Sequence, residues 1–333
     1  MSRRAYLAVD AGNSKTVALV NDAEGAVLGR GRGGNGDIYG APCVPEALES
    51  VFTAVGAALA DAGLSAGDIA SAAFRIAGVD YPEDAEFWDG HVRERLGGLG
   101  RWSIKNDAYA SLRLLDGSGV GVSITVGTGP AVAARAADGR EEHSGFFVFD
   151  HLGGGGLGNA ALKAVCQAWM GIAPPTSLTT TLCEMYDVPD AWHLRHDFTR
   201  RFGARAATDL WRASRAVLAA AGEGDAVAVD IVRAQAEAFV RYAGWCAERA
   251  GTKLGDLPVL LNGSVATSEY PAMRDALRDE LARVAPSVPV VVADASPLSG
   301  VVLDALAEGG VDISPGLLAR ARDGHPFDFL MTL

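Results

Sequence analysis

Cysteine is too sparse in this sequence to build a disulfide or metal framework. The 333 residues include four cysteines, which are Cys43, Cys166, Cys183 and Cys246. No two of them are close enough to form a C-x-x-C pair, the spacing that zinc sites often use. The sequence therefore disfavours a disulfide scaffold, a structural zinc site and an iron–sulfur cluster.

Two further absences limit the partners and the location of the protein. Basic residues number 29 against 41 acidic ones, a formal net charge of −12, and such an acidic surface suits nucleic acid poorly. No apolar run is long enough to span a membrane, and Asp10 interrupts the first apolar stretch, so no signal-peptide core follows Met1. We therefore expect a cytoplasmic protein that binds neither nucleic acid nor a membrane.

The stretch YLAVDAGNSKT, residues 6–16, has the pattern of a strand, a tight turn and a second strand. Asp10 ends the first strand, and Gly12 permits the positive φ that a tight turn often needs. Consecutive N–H groups and hydroxyls in such a turn suit phosphate, and an acid beside it suits a hydrated Mg²⁺. An ordinary hairpin would have the same pattern. The predicted phosphate contacts are Gly12, Asn13, Ser14, Lys15 and Thr16, with Asp10 as the predicted metal ligand.

A second copy of this pattern begins at Gly121. A strand over 122–126 leads into a Gly-Thr-Gly turn, and a second strand follows over 131–136. Two such units look like an internal duplication, and two phosphate-binding turns facing each other would hold a nucleoside triphosphate from both sides. The predicted phosphate contacts of the second turn are Gly127, Thr128 and Gly129.

The order and spacing of these and other short motifs resemble the N-acetylglucosamine kinase and BadF/BadG/BcrA/BcrD-type ATPase family of the actin-like superfamily. The resemblance covers nearly the whole chain. Its carriers are DAGNSKT (10–16), the Gly-Asn of GGNGD (33–37), AGVDYPEDA (77–85), KNDAYAS (105–111), TVGTG (125–129), YDVPD (186–190), LPVLLNGSVATS (257–268) and PLSG (297–300). Some members of the BadF group bridge subunits with an iron–sulfur cluster, for which this chain lacks the ligands.

The resemblance implies an α/β fold of two actin-like (ribonuclease H-like) domains with a nucleotide cleft between them. We expect domains at 1–118 and 119–309, a helical insertion in the second at about 157–251, and a tail at about 310–333 that packs back on the first. The implied function is an ATP-dependent kinase for an amino sugar or related hexose, with Mg²⁺ accompanying ATP. The alternative is an ATPase that acts on a partner protein. The expected partners are the sugar and ATP, and a homodimer is left open.

Asp107 lies between a short strand and a predicted helix over 108–115, where an acid often serves as the helix cap. The resemblance implies instead that Asp107 accepts the proton of the sugar hydroxyl during phosphoryl transfer. Gly78 follows another strand, and ligands bind at the carboxyl ends of strands in such sheets. The implied adenosine contacts are Gly263, Ser264 and Val265. The predicted substrate contacts are Asn35, Gly78, Asp107, Thr128 and Asp150.

The stretch from Gly153 to Gly158 departs from the family pattern. The family usually has Gly-Asp-Glu-Gly-Ser here, and its acid holds sugar hydroxyls, whereas this sequence has glycine in place of the acids. Asp150 is the nearest acid, in a predicted strand over 144–151 that precedes the glycines and a helix over 160–170. Pro130-Ala131 replaces the family's Ser-Asn. Because both departures concern the substrate side of the cleft, we do not expect N-acetylglucosamine to be the best substrate.

Two further expectations concern a glycine-rich loop and the packing of tryptophan side chains. The glycine-rich stretch from Gly29 to Gly40 is interpreted as a loop that crosses over to the substrate. Tryptophan is highly buried on average, so Trp169, Trp192 and Trp211 are expected to pack inside the helical insertion.

Overall fold

The computed structural model describes residues 4–323, and within them ten strands form two five-stranded sheets. The first sheet contains β1 (Ala5–Ala11), β2 (Thr16–Asn21), β3 (Val27–Gly33), β4 (Ile69–Ile76) and β5 (Arg101–Asn106), in the order β3-β2-β1-β4-β5. The second contains β6 (Gly121–Val126), β7 (Pro130–Arg135), β8 (Glu141–His143), β9 (Val259–Asn262) and β10 (Val290–Val292), in the order β10-β9-β6-β7-β8.

The two sheets have the same topology. In each, the first three strands are antiparallel neighbours, and the fourth strand pairs parallel with the first and with the fifth. This repetition confirms the α/β fold and the duplication that the two glycine turns indicate. Because β1, β4 and β5 are parallel, their carboxyl ends meet at one edge of the first sheet, and β6 and β9 do the same in the second.

Ten α-helices within residues 4–323 cover these sheets. They are α1 (Val44–Ala62), α2 (Pro82–Arg95), α3 (Gly153–Trp169), α4 (Leu178–Tyr186), α5 (Ala191–Asp197), α6 (Ser214–Gly222), α7 (Ala226–Arg249), α8 (Ala272–Val284), α9 (Pro297–Glu308) and α10 (Pro315–Asp323). None of the helices in the described part of the chain combines the length and the apolar character that crossing a membrane requires.

The glycines of β3 explain how α1 lies against the first sheet. A Cβ atom on Gly29, Gly31 or Gly33 would lie 1.9–2.2 Å from a backbone carbonyl oxygen of α1. The helix backbone therefore contacts the strand directly, and only glycine fits. The expectation of a loop from Gly29 was wrong for this part of the stretch, because the glycines provide close packing within a strand.

We call the first sheet with the helices that pack on it the first unit, and the second sheet with its helices the second unit. Successive side chains of β1 point to opposite faces of the sheet, so the core of the first unit has two layers. Leu7 and Val9 face the layer that includes α1 and α2. Tyr6 and Ala8 face the opposite layer, which is formed by α9 and α10. The second sheet packs with α3 to α8 in a third core.

Helix α9 packs on the first sheet, although the expected boundary at 309 groups it with the second. Two ion pairs join the helix to this sheet: the fully buried Arg75 of β4 contacts Asp304 of α9 at 2.7 Å and Glu308 at 2.8 Å. Helix α10 follows it, and its Leu317 is buried in the same core. The last part of the expected returning tail, residues 324–333, lies outside the described residues, and the domain boundaries themselves stay a prediction.

Three local predictions were wrong. Residues 144–151 form a short 3₁₀ turn (Gly145–Phe147) and irregular chain in place of a strand, and Phe149 is 88% exposed. Residues 108–115 form two 3₁₀ turns in place of an α-helix. Trp169, Trp192 and Trp211 lie at the surface of the helical insertion, with exposed fractions of 57%, 51% and 47%.

Candidate active site

The carboxyl ends of the parallel strands of both sheets face a cleft of about 520 Å³. Most of the residues singled out from the sequence line it. They are Asp10, Gly12, Asn13, Ser14, Lys15, Gly78, Asp107, Gly127, Thr128, Gly129 and Ser264. The two glycine turns, the Asp107 junction and the turn after β9 thus meet in one place, although they are far apart in the sequence.

The first turn, between β1 and β2, is closed by a hydrogen bond from the N–H of Gly12 to the carbonyl oxygen of Lys15, at 2.9 Å. Thr16 does not line the cleft, because it is buried and its hydroxyl donates to the carbonyl oxygen of Gly34 at 3.0 Å. Burial raises the pKa of Asp10 to about 6, although Lys15 partly offsets this. Burial lowers the pKa of Lys15, and the negative charge of Asp10 partly offsets this by raising it.

The second turn, between β6 and β7, lies beside the turn that follows β9. The N–H of Val265 donates to the carbonyl oxygen of Val126 at 2.9 Å. Gly263 has φ +90°, and a Cβ there would lie 2.5 Å from the backbone of Val126. Glycine at 263 is therefore required by its conformation and by the close approach, and Ser264 is the member of this turn that faces the cleft.

Asp107 follows β5 and is the first residue of a 3₁₀ turn, Asp107–Tyr109. The N-cap of this turn is the preceding residue, Asn106. The side chain of Asn106 accepts a hydrogen bond from the N–H of Ala108 at 2.9 Å, so Asp107 is not needed as the cap. Burial raises the pKa of Asp107 to about 7, with further contributions from the negative charges of Asp10, Asp80 and Asp37. A carboxyl group with this pKa can exchange a proton near neutral pH.

Two carboxylates of the cleft, Asp37 and Asp80, were missed as site residues. Burial and the charges of Asp84 and Asp37 raise the pKa of Asp80 to about 6, and Asn106 donates to its carboxylate at 3.1 Å. Each stands shortly after a glycine at the end of a loop or strand, in the motifs GGNGD and AGVDYPEDA. Their position close to a glycine could have identified them, because Asp10, which was identified, also lies close to a glycine, Gly12.

Asn35 and Asp150, predicted as substrate contacts, are not among the residues that line the cleft. The side-chain oxygen of Asn35 accepts a hydrogen bond from the N–H of Asp37 at 2.8 Å, so it supports the loop that carries Asp37. The carboxylate of Asp150 accepts a hydrogen bond from the hydroxyl of Tyr242 at 2.8 Å and lines a different cavity, beside α7.

Aromatic side chains from both units meet at the mouth of the cleft. The ring of Phe146, which lines the cleft, lies 4.9 Å from that of Tyr39 and 6.0 Å from that of Tyr81, centroid to centroid. Tyr39 and Tyr81 belong to loops of the first unit, whereas Phe146 follows β8 of the second. The acidic part of the cleft therefore has an apolar wall at its entrance.

The side chains of the cleft offer little to a metal ion on their own. Within residues 4–323, no group of three or more His, Cys, Asp and Glu side chains is placed to hold one, and all four cysteines are unpaired. Asp10 is the carboxylate closest in sequence to the first turn, and it could bind Mg²⁺ through water if phosphate oxygens supplied further ligands.

Comparison with known proteins gives a family and several proteins of similar sequence or structure. The model of the BadF/BadG/BcrA/BcrD ATPase family matches residues 7–306. The N-acetyl-D-glucosamine kinase of Dictyostelium discoideum is 27% identical over 194 residues, which are 55% of this chain and 61% of that kinase. The match thus spans less than two thirds of the relative's length.

Solved structures are similar over almost their whole length. A candidate N-acetylglucosamine kinase from Chromobacterium violaceum has a TM-score of 0.69 and 21% identity, over 91% of this chain and 99% of that one. A ROK family glucokinase from Streptomyces griseus, solved with glucose and AMPPNP, has a TM-score of 0.57 and 20% identity, over 90% and 98% of the two chains. At these identities the similarity shows a shared fold.

Proposed function

Because this chain belongs to the BadF/BadG/BcrA/BcrD ATPase family, we propose that it is an ATP-dependent kinase that phosphorylates a hydroxyl of an amino sugar or related hexose. The observation that carries the proposal is the meeting of two glycine turns with Asp107 in one cleft. The turns suit phosphate, and a carboxyl group with a pKa of about 7 suits a general base.

The nucleotide lies between the two turns in this proposal. N–H groups of both turns, with the hydroxyl of Ser14 and the ammonium of Lys15, hold the phosphates, and Ser264 lies where the adenosine is bound. Asp10 would hold, through water, the Mg²⁺ that accompanies ATP, and the ion would neutralise charge on the phosphates. The half-buried position of Asp10 supports this role, since a nearby cation would relieve the cost of its negative charge.

Asp107 acts on the acceptor. Its carboxylate takes the proton of the attacking hydroxyl while the hydroxyl oxygen bonds to the γ-phosphorus and the bond to the β–γ bridging oxygen breaks. ADP and the sugar phosphate are the products. Asp37 and Asp80 lie in the same cleft and are available to accept hydrogen bonds from other hydroxyls of the acceptor.

Three observations support this acceptor class. The curated relative is named an N-acetyl-D-glucosamine kinase, the cleft is acidic, and aromatic rings stand at its mouth. Carboxylates bind the hydroxyls and an amine of a sugar, and aromatic rings cover the apolar face of a pyranose ring. The acids that the family usually has on the second unit are replaced by glycine here, so the carboxylates of the first unit carry the recognition.

A thermal-shift screen followed by a transfer assay tests the proposal. The melting temperature is measured with Mg²⁺ and AMPPNP, alone and with each member of a sugar panel, and positive sugars are then assayed with ATP. We expect AMPPNP to stabilise the protein, at least one sugar to add to the effect, and Asp107→Asn to retain AMPPNP binding without transfer. Nucleotide stabilisation and ATP hydrolysis with no response to any sugar would instead favour an ATPase that acts on a partner protein.

A further inference from the structure

Helix α3 begins with four glycines, Gly153 to Gly156, although glycine costs about 1 kcal/mol per residue in a helix relative to alanine. These residues lie against the back of the second turn. The N–H of Gly154 donates to the carbonyl oxygen of Gly127 at 2.8 Å, and the N–H of Gly155 donates to that of Thr128 at 3.0 Å. The first N–H groups of a helix normally lack partners within it; here the turn supplies partners for two of them.

These two bonds fix the direction in which the turn presents its own N–H groups. In a trans peptide the C=O and the following N–H point in opposite directions, and no peptide bond in the described residues is cis. With the carbonyls of Gly127 and Thr128 directed at α3, the N–H groups of Thr128 and Gly129 are directed away from it. Both residues line the cleft.

The helix also strengthens those donors. Its amino-terminal end carries about half a positive charge, and a hydrogen bond to a carbonyl polarises the whole peptide, so that its N–H becomes a better donor. Through the two peptides of the turn, α3 thus acts on an anion in the cleft without touching it.

We propose that Gly153 and Gln235 are positioning residues, which hold α3 against the second turn so that the turn binds the phosphates of ATP. The proposal rests on the proposed function, because it assigns that turn to phosphate.

Gly153 has φ +75°, and a Cβ atom there would lie 2.8 Å from the carbonyl carbon of Gly129 and 2.9 Å from the carbonyl oxygen of Gly127. Real Cβ atoms do not approach backbone this closely, so alanine at 153 would push the turn away from the helix. By contrast, a Cβ on Gly155 would have ordinary contacts, its nearest neighbour being the carbonyl oxygen of Thr128 at 3.5 Å.

Gln235 of α7 holds the helix start from the other side. Its side-chain oxygen accepts from the N–H of Gly153 at 3.0 Å, and its side-chain nitrogen donates to the carbonyl oxygen of His151 at 3.4 Å. Gln235 is 5% exposed and does not line the cleft. It can therefore influence ATP only through α3 and the turn.

The test compares Gly153→Ala with Gly171→Ala. Gly171 follows the other end of α3 with nearly the same φ, +73°, but nothing lies within 4 Å of its Cβ position. The two variants therefore share the backbone strain and differ in the contact with the turn. The affinity for Mg·AMPPNP is measured by calorimetry and that for adenosine, which has no phosphate, by NMR. Melting curves report the fold.

We expect both variants to lower the melting temperature. Gly153→Ala weakens AMPPNP binding by about tenfold, the scale of one hydrogen bond to a charged group, and leaves adenosine binding unchanged. Gly171→Ala binds both ligands as the parent does. Equal AMPPNP affinity in the two variants, or an equal loss of adenosine and AMPPNP, would overturn the proposal.

A second pair keeps the test decisive if Gly153→Ala does not fold. Gln235→Leu removes the acceptor for the N–H of Gly153 and is expected to weaken AMPPNP binding, whereas Gln235→Glu retains an acceptor oxygen and restores it. Unchanged AMPPNP affinity in Gln235→Leu would overturn the proposal. Absence of AMPPNP binding in the parent protein would instead refute the proposed function, and this inference with it.

Discussion

Replacing Asp107 by asparagine is expected to stabilise the fold at alkaline pH while it removes phosphoryl transfer. The pKa of Asp107 is raised from its ordinary value of 3.8 to about 7 by burial and by the neighbouring carboxylates. Between these two values the native state binds a proton that the unfolded state releases, so stability falls as the pH rises from about 4 to 7. Asparagine has no charge to lose and avoids this cost.

The size of the effect follows from the shift. A difference of one in pKa corresponds to about 1.4 kcal/mol, so the upper limit at pH 8 is about 4 kcal/mol. The side chain of Asp107 is only partly shielded from solvent, which reduces the cost, and we expect a gain of about 1–2 kcal/mol. The assay is a series of melting curves of both proteins from pH 4 to 8. The advantage of Asp107→Asn should be absent near pH 4 and largest at pH 8.

Asp225→Asn is the control of opposite sign. Burial raises the pKa of Asp225, but hydrogen bonds from the N–H groups of Ala228 and Ser177 and from the hydroxyls of Ser177 and Thr176 outweigh it and lower the pKa to about 2. This carboxylate therefore stabilises the fold above pH 4 and loses its effect as the pH falls through 2. Asp225→Asn should melt below the parent protein at pH 8.

Transfer provides the second measurement on Asp107→Asn. Asparagine cannot accept the proton of the acceptor, and the single-turnover rate should fall by about 10² or more. In the parent protein the rate should rise with pH through about 7, as the carboxyl group of Asp107 ionises. A variant that transfers phosphate normally and melts at or below the parent temperature at pH 8 would refute both the base assignment and its electrostatic origin.

Three further predictions concern the metal, the acceptor and the fold. Asp10→Ala should raise the Mg²⁺ concentration needed for half-maximal transfer; a normal Mg²⁺ titration would remove the metal role from Asp10. In kinetics on hexoses, hexosamines and their N-acetyl forms, N-acetylglucosamine should not give the highest kcat/KM, because each lost hydrogen bond to a charged group costs about 1.5–3 kcal/mol; the highest value for that sugar would contradict the argument. Asp304→Ala leaves the buried Arg75 without its closest partner and should lower the free energy of unfolding in urea by about 3–5 kcal/mol, whereas a loss below about 1 kcal/mol would show that the pair is dispensable.

Much of the fold could be predicted because its signals are local. A strand, a glycine turn and a second strand can be recognised within about fifteen residues, and two copies of them predicted an internal duplication, which the common topology of the two sheets confirms. Together with the family resemblance, this reasoning identified site residues most of which do line the cleft. Asp37 and Asp80 escaped it because an acid after a glycine is also typical of an ordinary turn, and only the assembled sheets bring the two carboxylates together.

The failures occurred where distant contacts outweigh local preference. Gly153 to Gly156 have poor helix propensity, yet they begin a helix whose first N–H groups find distant partners: Gln235 accepts from Gly153, and the second turn accepts from Gly154 and Gly155. Asn and Asp are equally good N-cap residues, so their residue types do not show which of Asn106 and Asp107 caps the turn. In the structure Asn106 is the cap, and Asp107 lines the cleft. Helix α9 packs on β1 through a shared apolar core and pairs Asp304 with Arg75, residues separated by more than two hundred positions, which no short pattern indicates.

The return of α9 to the first sheet has a mechanical consequence. The chain passes from the first unit to the second between residues 115 and 121 and comes back between 292 and 297. Two units joined at two points turn most easily about the line through those points, while sliding and separation strain both connections. We therefore expect rotation about this line to be the motion that widens or narrows the cleft, which lies at the carboxyl ends of the strands of both units.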